Sequence, residues 1–103
     1  MWQKTYEEDK AWQAALSYCE NLDYAGYTDW RLPNKDELMT LVNYDKYSPA
    51  SNFPGMTANR FWTSTSRSNY PERAFNIWLS TGRIDTRHKT DYSYYVKCVR
   101  GGN

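Results

Sequence analysis

Apolar side chains recur at helical spacing in two places along the chain and at near-alternate positions in four others. Trp12, Ala15, Leu16, Cys19 and Leu22 stand at i, i+3, i+4, i+7 and i+10, on one face of a helix predicted from about Asp9 to Asn21. Asp9 or Thr5 is the expected cap, and Gly26 lies just past the end, in a turn-rich stretch from Asp23 to Asp29. Cys19 points inward on this reading. A second helix is predicted to start at Asn34, whose side chain can accept from the free backbone N–H groups while Glu37 returns the bond, as a capping box requires. Leu38, Leu41 and Val42 are its expected buried stripe. Pro33 keeps Leu32 extended, so Trp30-Arg31-Leu32-Pro33 is a rigid lead-in, with Arg31 expected to pair with Glu37 and lock the turn between elements.

Asn43 to Asn59 is polar, carries Pro49, Pro54 and Gly55, and has no sustained period, so it is expected to be a long loop of the kind that often carries function. From Arg60 onward the period shortens to about two. Strands are predicted over Arg60 to Ser66, Ala74 to Leu79, Arg83 to Arg87 and Tyr94 to Arg100, with Ser80-Thr81-Gly82 as a hairpin turn in which Gly82 takes positive φ. Ile77 and Trp78 are adjacent in a strand and must face opposite ways, which leaves Trp78 expected half-exposed. No internal repeat, low-complexity tract or linker is visible, and 103 residues suffice for one core.

Composition makes that core aromatic. Five Trp, ten Tyr and three Phe supply most of the large apolar surface, and a surplus of Tyr and Trp is expected at the exterior. Net charge is +1 but unevenly placed: five Lys/Arg against nine Asp/Glu through Asn59, then eight against three from Arg60. A basic later part beside an acidic earlier part points to an anionic partner for the C-terminal surface. No apolar run approaches the roughly 18 residues needed to cross a bilayer, and the N-terminus has no basic segment followed by an apolar stretch; Met1-Trp2-Gln3 opens abruptly, as expected of the cut edge of a longer protein whose leader lies outside it.

Cys19 and Cys98 are too far apart for a CxxC redox pair and, with the lone His88, too few for a structural zinc site. Two readings stay open: a disulfide formed in an oxidising compartment, or two buried free thiols. A catalytic His88 lacks both an orienting group and a nucleophile motif such as GxSxG, and no acid–base or metal constellation is present.

The series Trp12-x-x-Ala15-x-x-x-Cys19-x-x-Leu22, Gly26-x-x-Asp29-Trp30-Arg31-Leu32-Pro33-x-x-x-Glu37-Leu38-x-x-Leu41, Phe61-Trp62-Thr63-Ser64-Thr65 and Val96-Lys97-Cys98-Val99-Arg100-Gly101 resembles the C-terminal domain of bacterial collagen-like adhesins of the Lcl type. The resemblance covers almost the whole chain. It implies an α+β, C-type-lectin-like fold: two helices packed on a small, twisted antiparallel sheet with long loops, in a single domain over 1–103 that lacks its usual first strand. It also implies that Cys19 and Cys98 form a helix-to-last-strand cystine, that Trp62 belongs to the structure, and that the protein is extracellular or at a cell surface, with periplasm as the other oxidising location. The adhesin domain that names the family binds sulfated glycosaminoglycans and is similar to a trimer in assembly, so the resemblance implies a glycan, sulfated in that adhesin, or a host or receptor protein as partner, and a homotrimer as one assembly to expect. No cofactor, metal, nucleic acid or membrane insertion is expected. The Glu-Pro-Asn, Gln-Pro-Asp and Trp-Asn-Asp triplets of calcium-dependent lectins are absent, as is the reactive cysteine pair of the formylglycine-generating oxidases.

The fold is similar, too, to receptor-binding proteins diversified by retroelements, whose variable residues crowd the last strands. Arg60, Asn69, Tyr70, Asn76, Trp78, Arg83, Asp85, Arg87, His88, Asp91, Tyr92 and Tyr94 are of the matching type here. The expected ligand surface unites Arg83, Arg87, His88 and Lys89 of one strand and its exit with Arg67 and Arg73 of the preceding loop, Arg being the better fork for planar anions. Asn69, Tyr70, Asn76, Trp78, Asp85 and Tyr92 complete it. The opposing reading is a solvated basic face with Asp85 and Asp91 as local partners. The expectation is a non-catalytic binding module; its alternatives are an oligomerising cap of a larger fibre and a diversified receptor-binding protein.

Overall fold

The computed structural model describes residues 1–46, 51 and 56–101. In chain order the elements are β1 (Glu7–Lys10), α1 (Trp12–Glu20), β2 (Trp30–Arg31), α2 (Lys35–Met39), β3 (Arg60–Arg67), β4 (Tyr70–Trp78), β5 (Arg83–His88), β6 (Tyr94–Val96) and β7 (Val99–Arg100). Five strands form one sheet in the order β1-β6-β3-β4-β5, and β2 pairs with β7 in a second, two-stranded sheet. The larger sheet is mixed, which corrects the all-antiparallel expectation: β3 and β6 run parallel, with Phe61 beside Tyr95. Period-two patterning cannot distinguish the two directions, because it records which face a side chain takes and not how neighbouring strands run.

The core is double because the central strand is buried on both sides. Adjacent residues of a strand point to opposite faces, and in β3 both Phe61 and Trp62 are fully enclosed. Trp62 joins Ala15, Cys19, Trp30, Leu32, Ala74, Val96 and Cys98 beneath α1, and Phe61 joins Leu38, Met56, Ile77 and Leu79 beneath α2. The polar handles of the large rings are satisfied: the indole N–H groups of Trp12, Trp62 and Trp30 donate to the carbonyls of Thr63 at 2.9 Å, Lys10 at 2.8 Å and Tyr27 at 3.1 Å. An aromatic core of this kind is oriented as well as filled.

The chain ends are tied together. Cys19 and Cys98 form a disulfide, with Cα atoms 5.6 Å apart and a sequence separation of 79. Buried Gln3 braces it, its side-chain carbonyl accepting from Cys98 N–H at 2.9 Å and its amide donating to Tyr18 Oη at 2.9 Å. The second helix starts as expected: Asn34 Oδ1 accepts from Glu37 N–H at 2.8 Å and Glu37 Oε1 from Asn34 N–H at 2.9 Å. It ends sooner than the apolar stripe suggests, so Leu41 and Val42 pack on the core from the turns that follow.

The first helix departs from expectation. It starts at Trp12 on Ala11, with no side-chain cap; Asp9 instead lies in β1 with φ of 46°. Glu7–Lys10 is drawn into strand by β6, a partner almost ninety residues away, and the register shift between Glu7 and Lys10 accommodates the left-handed residue. Of the expected loop over Asn43 to Asn59, Ser51 bridges Val42 and its hydroxyl donates to the Leu41 carbonyl at 2.5 Å. Positions 47–50 and 52–55 of that loop lie outside the described residues.

Candidate functional site: an arginine–aromatic sheet face

Register decides which of the charged residues meet. Trp78 stands opposite Arg60 on one side and Arg83 on the other, Asn76 opposite Trp62 and Asp85, and Ala74 opposite Arg87. Residues paired across strands share a face. Arg60, Asn76, Trp78, Arg83, Asp85 and Arg87 therefore lie on one face of the sheet, beyond the region that α1 covers. Tyr94 joins them from β6, and Tyr92 stacks on Tyr94 with centroids 5.9 Å apart and an interplanar angle of 16°.

Arg60 is the hub. Its guanidinium lies 5.0 Å from the Trp78 ring centroid and 6.0 Å from that of Tyr94, while Nη1 donates to Asn76 Oδ1 at 2.9 Å and stands 3.5 Å from Asp85 Oδ2. Arg87 approaches the same carboxylate at 2.8 Å and lies 5.8 Å from the Tyr92 ring. Burial pushes the Asp85 carboxyl up, but the Thr86 N–H, Arg87 and Arg60 outweigh it and hold the group below its ordinary value. The face thus keeps Asp85 ionised between two arginines, with Arg83 exposed beside them. Two guanidiniums, those of Arg60 and Arg87, approach that carboxylate. Asn76 is fully buried, and its Nδ2 is the one buried side-chain nitrogen or oxygen without a hydrogen-bond partner among the described residues.

The remaining basic residues go elsewhere, which corrects the expectation of one continuous basic surface. Arg73 lies within β4, not in a loop, opposite His88. Both take the face opposite to Arg87, because Arg87 and His88 are consecutive in β5. Arg73 Nη1 reaches the Thr86 carbonyl at 3.4 Å, and His88 Nδ1 lies 3.1 Å from Thr90 Oγ1 and 3.8 Å from the Asp91 carboxylate. Arg67 and Tyr70 sit at the β3–β4 turn with Asn69 between them, the guanidinium 4.7 Å over the ring. Lys89 serves the scaffold, donating to Ser66 Oγ at 2.8 Å and covering Trp12 at 3.9 Å. Among the described residues no group of three or more His, Cys, Asp or Glu is arranged to hold a metal ion.

Beside the face, at the end of the sheet where β3 and β6 begin, lies a cleft of about 220 Å³ lined by Asp9, Asn59, Arg60, Ser93, Tyr94 and Tyr95. Asn59, Ser93 and Tyr95 carry no signal in the linear pattern, since the cleft is assembled from three separate segments, and Asp9 of the third reads locally as a helix cap. Arg60 and Tyr94 are visible in sequence only through the resemblance to diversified receptor-binding surfaces.

No curated protein matches the chain. The family model described as the Lcl C-terminal domain matches residues 1–100, and over that length the fold carries the Trp12-to-Cys19 helix, the Asp29-Trp30-Arg31-Leu32-Pro33 turn and the closing cystine on which the resemblance rests, so the chain belongs to the Lcl C-terminal domain family.

Proposed function

We propose that this domain is a non-catalytic recognition module that binds a polyanionic glycan through the Arg60, Arg83 and Arg87 face of its sheet. The observation that carries the reading is the gathering of Arg60 and Arg87 with Trp78, Tyr92 and Tyr94 around the Asp85 carboxylate, with Arg83 exposed beside Trp78 on the same face. Arginines held by aromatic rings and a fixed carboxylate lose little freedom on binding, and their remaining N–H groups suit sulfate or carboxylate oxygens. The aromatic rings offer flat apolar surface beside them. The family is one of surface-protein domains, and together with the cystine it supports a location outside the cytosol.

The experiment is retention on a heparin column over a salt gradient. Binding that falls steeply with salt, and is weakened in Arg83→Ala/Arg87→Ala while the fold is kept, is the expected result. Retention that is equal in the variant refutes this face. An unretained protein that is a stable trimer in light scattering belongs instead to an oligomerising cap.

A further inference from the structure

β5 ends the five-stranded sheet, with β4 as its one neighbour there. An edge strand presents a row of backbone N–H and C=O groups to any chain able to pair with them. The direction of those groups follows from one bond just past the strand. Lys89 N–H donates to the Glu72 carbonyl of β4 at 2.9 Å, so the backbone groups of Arg83, Asp85 and Arg87 also point into the sheet, and those of Ile84, Thr86 and His88 point away from it.

Thr86 stands in the middle of that edge, and its sequence neighbours occupy both of its backbone groups. Asp85 Oδ1 accepts from Thr86 N–H at 2.8 Å, and Arg87 Nη1 donates to the Thr86 carbonyl at 2.8 Å. These two side chains also pair with each other, Arg87 Nη1 lying 2.8 Å from Asp85 Oδ2. Arg73 Nη1 reaches the same carbonyl from the opposite face at 3.4 Å, and the outward carbonyl of His88 accepts from Asp91 N–H at 3.4 Å. A second strand could pair with Thr86 only by displacing Asp85 and Arg87.

We infer that the β5 edge is a surface complementary to a second copy of itself, and that the Asp85 and Arg87 side chains keep it shut. The order of the residues selects the occupant. Two antiparallel copies of β5 centred on Thr86 bring Ile84 opposite His88, and Asp85 of each copy opposite Arg87 of the other. The two Thr86 residues then exchange N–H and C=O bonds as a hydrogen-bonded pair. Each charged side chain meets across the contact the opposite charge that it now holds within its own strand. The edge is separate from the arginine–aromatic face, although Asp85 and Arg87 take part in both.

The test removes the two guarding side chains and leaves the edge. Asp85→Thr/Arg87→Thr substitutes a strand-forming residue at both positions and keeps the net charge. Adding Thr86→Pro deletes the outward N–H at a place where an edge strand tolerates proline. Sedimentation of the intact protein and both variants is followed from about 1 to 300 µM, a range that brackets a contact with a dissociation constant of about 30 µM. The expected result is one mass throughout for the intact protein, at least a doubling of that mass for the double variant at the upper end, and a return to the intact mass with proline. Amide exchange gives a second reading: in the double variant the Ile84, Thr86 and His88 amides slow as concentration rises. Should the proline variant fail to fold, the amide reading decides alone; should the double variant fail, Arg87→Thr, which frees the Thr86 carbonyl and leaves Asp85 with Arg60, takes its place. A mass that stays constant once the guards are gone overturns the inference. So does a gain in mass that survives Thr86→Pro, since the contact then lies elsewhere, or an intact protein that already slows the same three amides with concentration, since the guards then do not hold.

Discussion

Arg31 grips Glu37 with two hydrogen bonds, Nη1 to Oε1 at 2.7 Å and Nη2 to Oε2 at 2.6 Å, and the same Glu37 caps α2 through the Asn34 N–H. Arg31 Nη2 also donates to the Gly101 carbonyl at 3.1 Å, so one guanidinium joins β2, the start of α2 and the C-terminal end of the described chain. Arg31 foremost, with the Asn34 N–H beside it, holds the Glu37 carboxyl below its ordinary value. A carboxylate depressed in the folded state contributes stability that is present above its unfolded value near 4.5 and lost as pH falls through the folded one. Glu37→Gln is expected to remove part of the loss of thermal stability below about pH 4.5, while lowering stability at neutral pH by about 1–2 kcal/mol through the weakened fork and cap. Melting curves of both proteins from pH 3 to pH 7 check this.

The cystine spans most of the chain, and its effect follows from the sequence separation of 79. In the loop-entropy model a closure of that length constrains the unfolded chain by about 4–5 kcal/mol, close to the whole stability of a domain this size. Cys19→Ala/Cys98→Ala is therefore expected to be largely unfolded at 37 °C. Denaturant unfolding of oxidised and reduced protein measures the difference; a reduced form as stable as the oxidised one would defeat the claim.

What was legible in sequence was whatever depends on residues close in the chain. The Asn34–Glu37 box and the Arg31–Glu37 fork lie within six residues of one another, and spacing alone points to both. Strands near Arg60, Ala74 and Arg83 were legible because alternation is local, although β4 begins earlier, at Tyr70, and the stretch expected as one strand from Tyr94 to Arg100 divides into β6 and β7, which join different sheets; the turn at Gly82 was legible because glycine is the residue that takes positive φ without cost. What failed depends on distant pairing. Glu7–Lys10 becomes a strand only through β6, which displaces the start of α1 and removes Asp9 from the cap it appeared to be. The parallel β3–β6 contact is equally non-local. The division of the basic residues lies between these cases: that Arg87 and His88 face opposite ways was already implicit in their adjacency, but that Arg73 sits opposite His88 requires the register.

Gly82 provides a test of packing at the hairpin. Its φ is +80°, and a Cβ there would stand 2.7 Å from both Tyr44 Cε1 and Val42 Cγ1. Tyr44 cannot simply swing clear, since its hydroxyl donates to the Gly82 carbonyl at 3.0 Å. Gly82→Ala is expected to lower stability by about 1–3 kcal/mol from overpacking added to the left-handed backbone. In Gly82→Ala/Tyr44→Ser the clash with the ring is relieved, and the Val42 contact and the backbone part remain. Thermal unfolding of the single and double variants separates the ring clash from the rest.

Lys97 gives the fold a rising alkaline limb. Its side chain is fully buried between Val96 and Cys98 in sequence, with Nζ donating to the Thr5 carbonyl at 2.9 Å. Burial disfavours the ammonium and brings its pKa down from 10.5 to about 8. Between those values the unfolded chain binds more protons at this site than the folded one, so stability increases with pH from about 8 towards 10.5. The sign is opposite to that of a lysine gaining a carboxylate. Tyr18 and Tyr94, both pushed up by burial, act the other way above about pH 10, because the folded state then retains protons that the unfolded chain has released. The Lys97 contribution is isolated by comparison with Lys97→Met, which keeps the length of the stem and removes the titrating group. The difference in unfolding free energy between the two proteins should be flat below pH 7 and should shift in favour of the native sequence as pH rises from 8 to 10. A difference that stays constant across that interval would mean that the ammonium is solvated in the folded state.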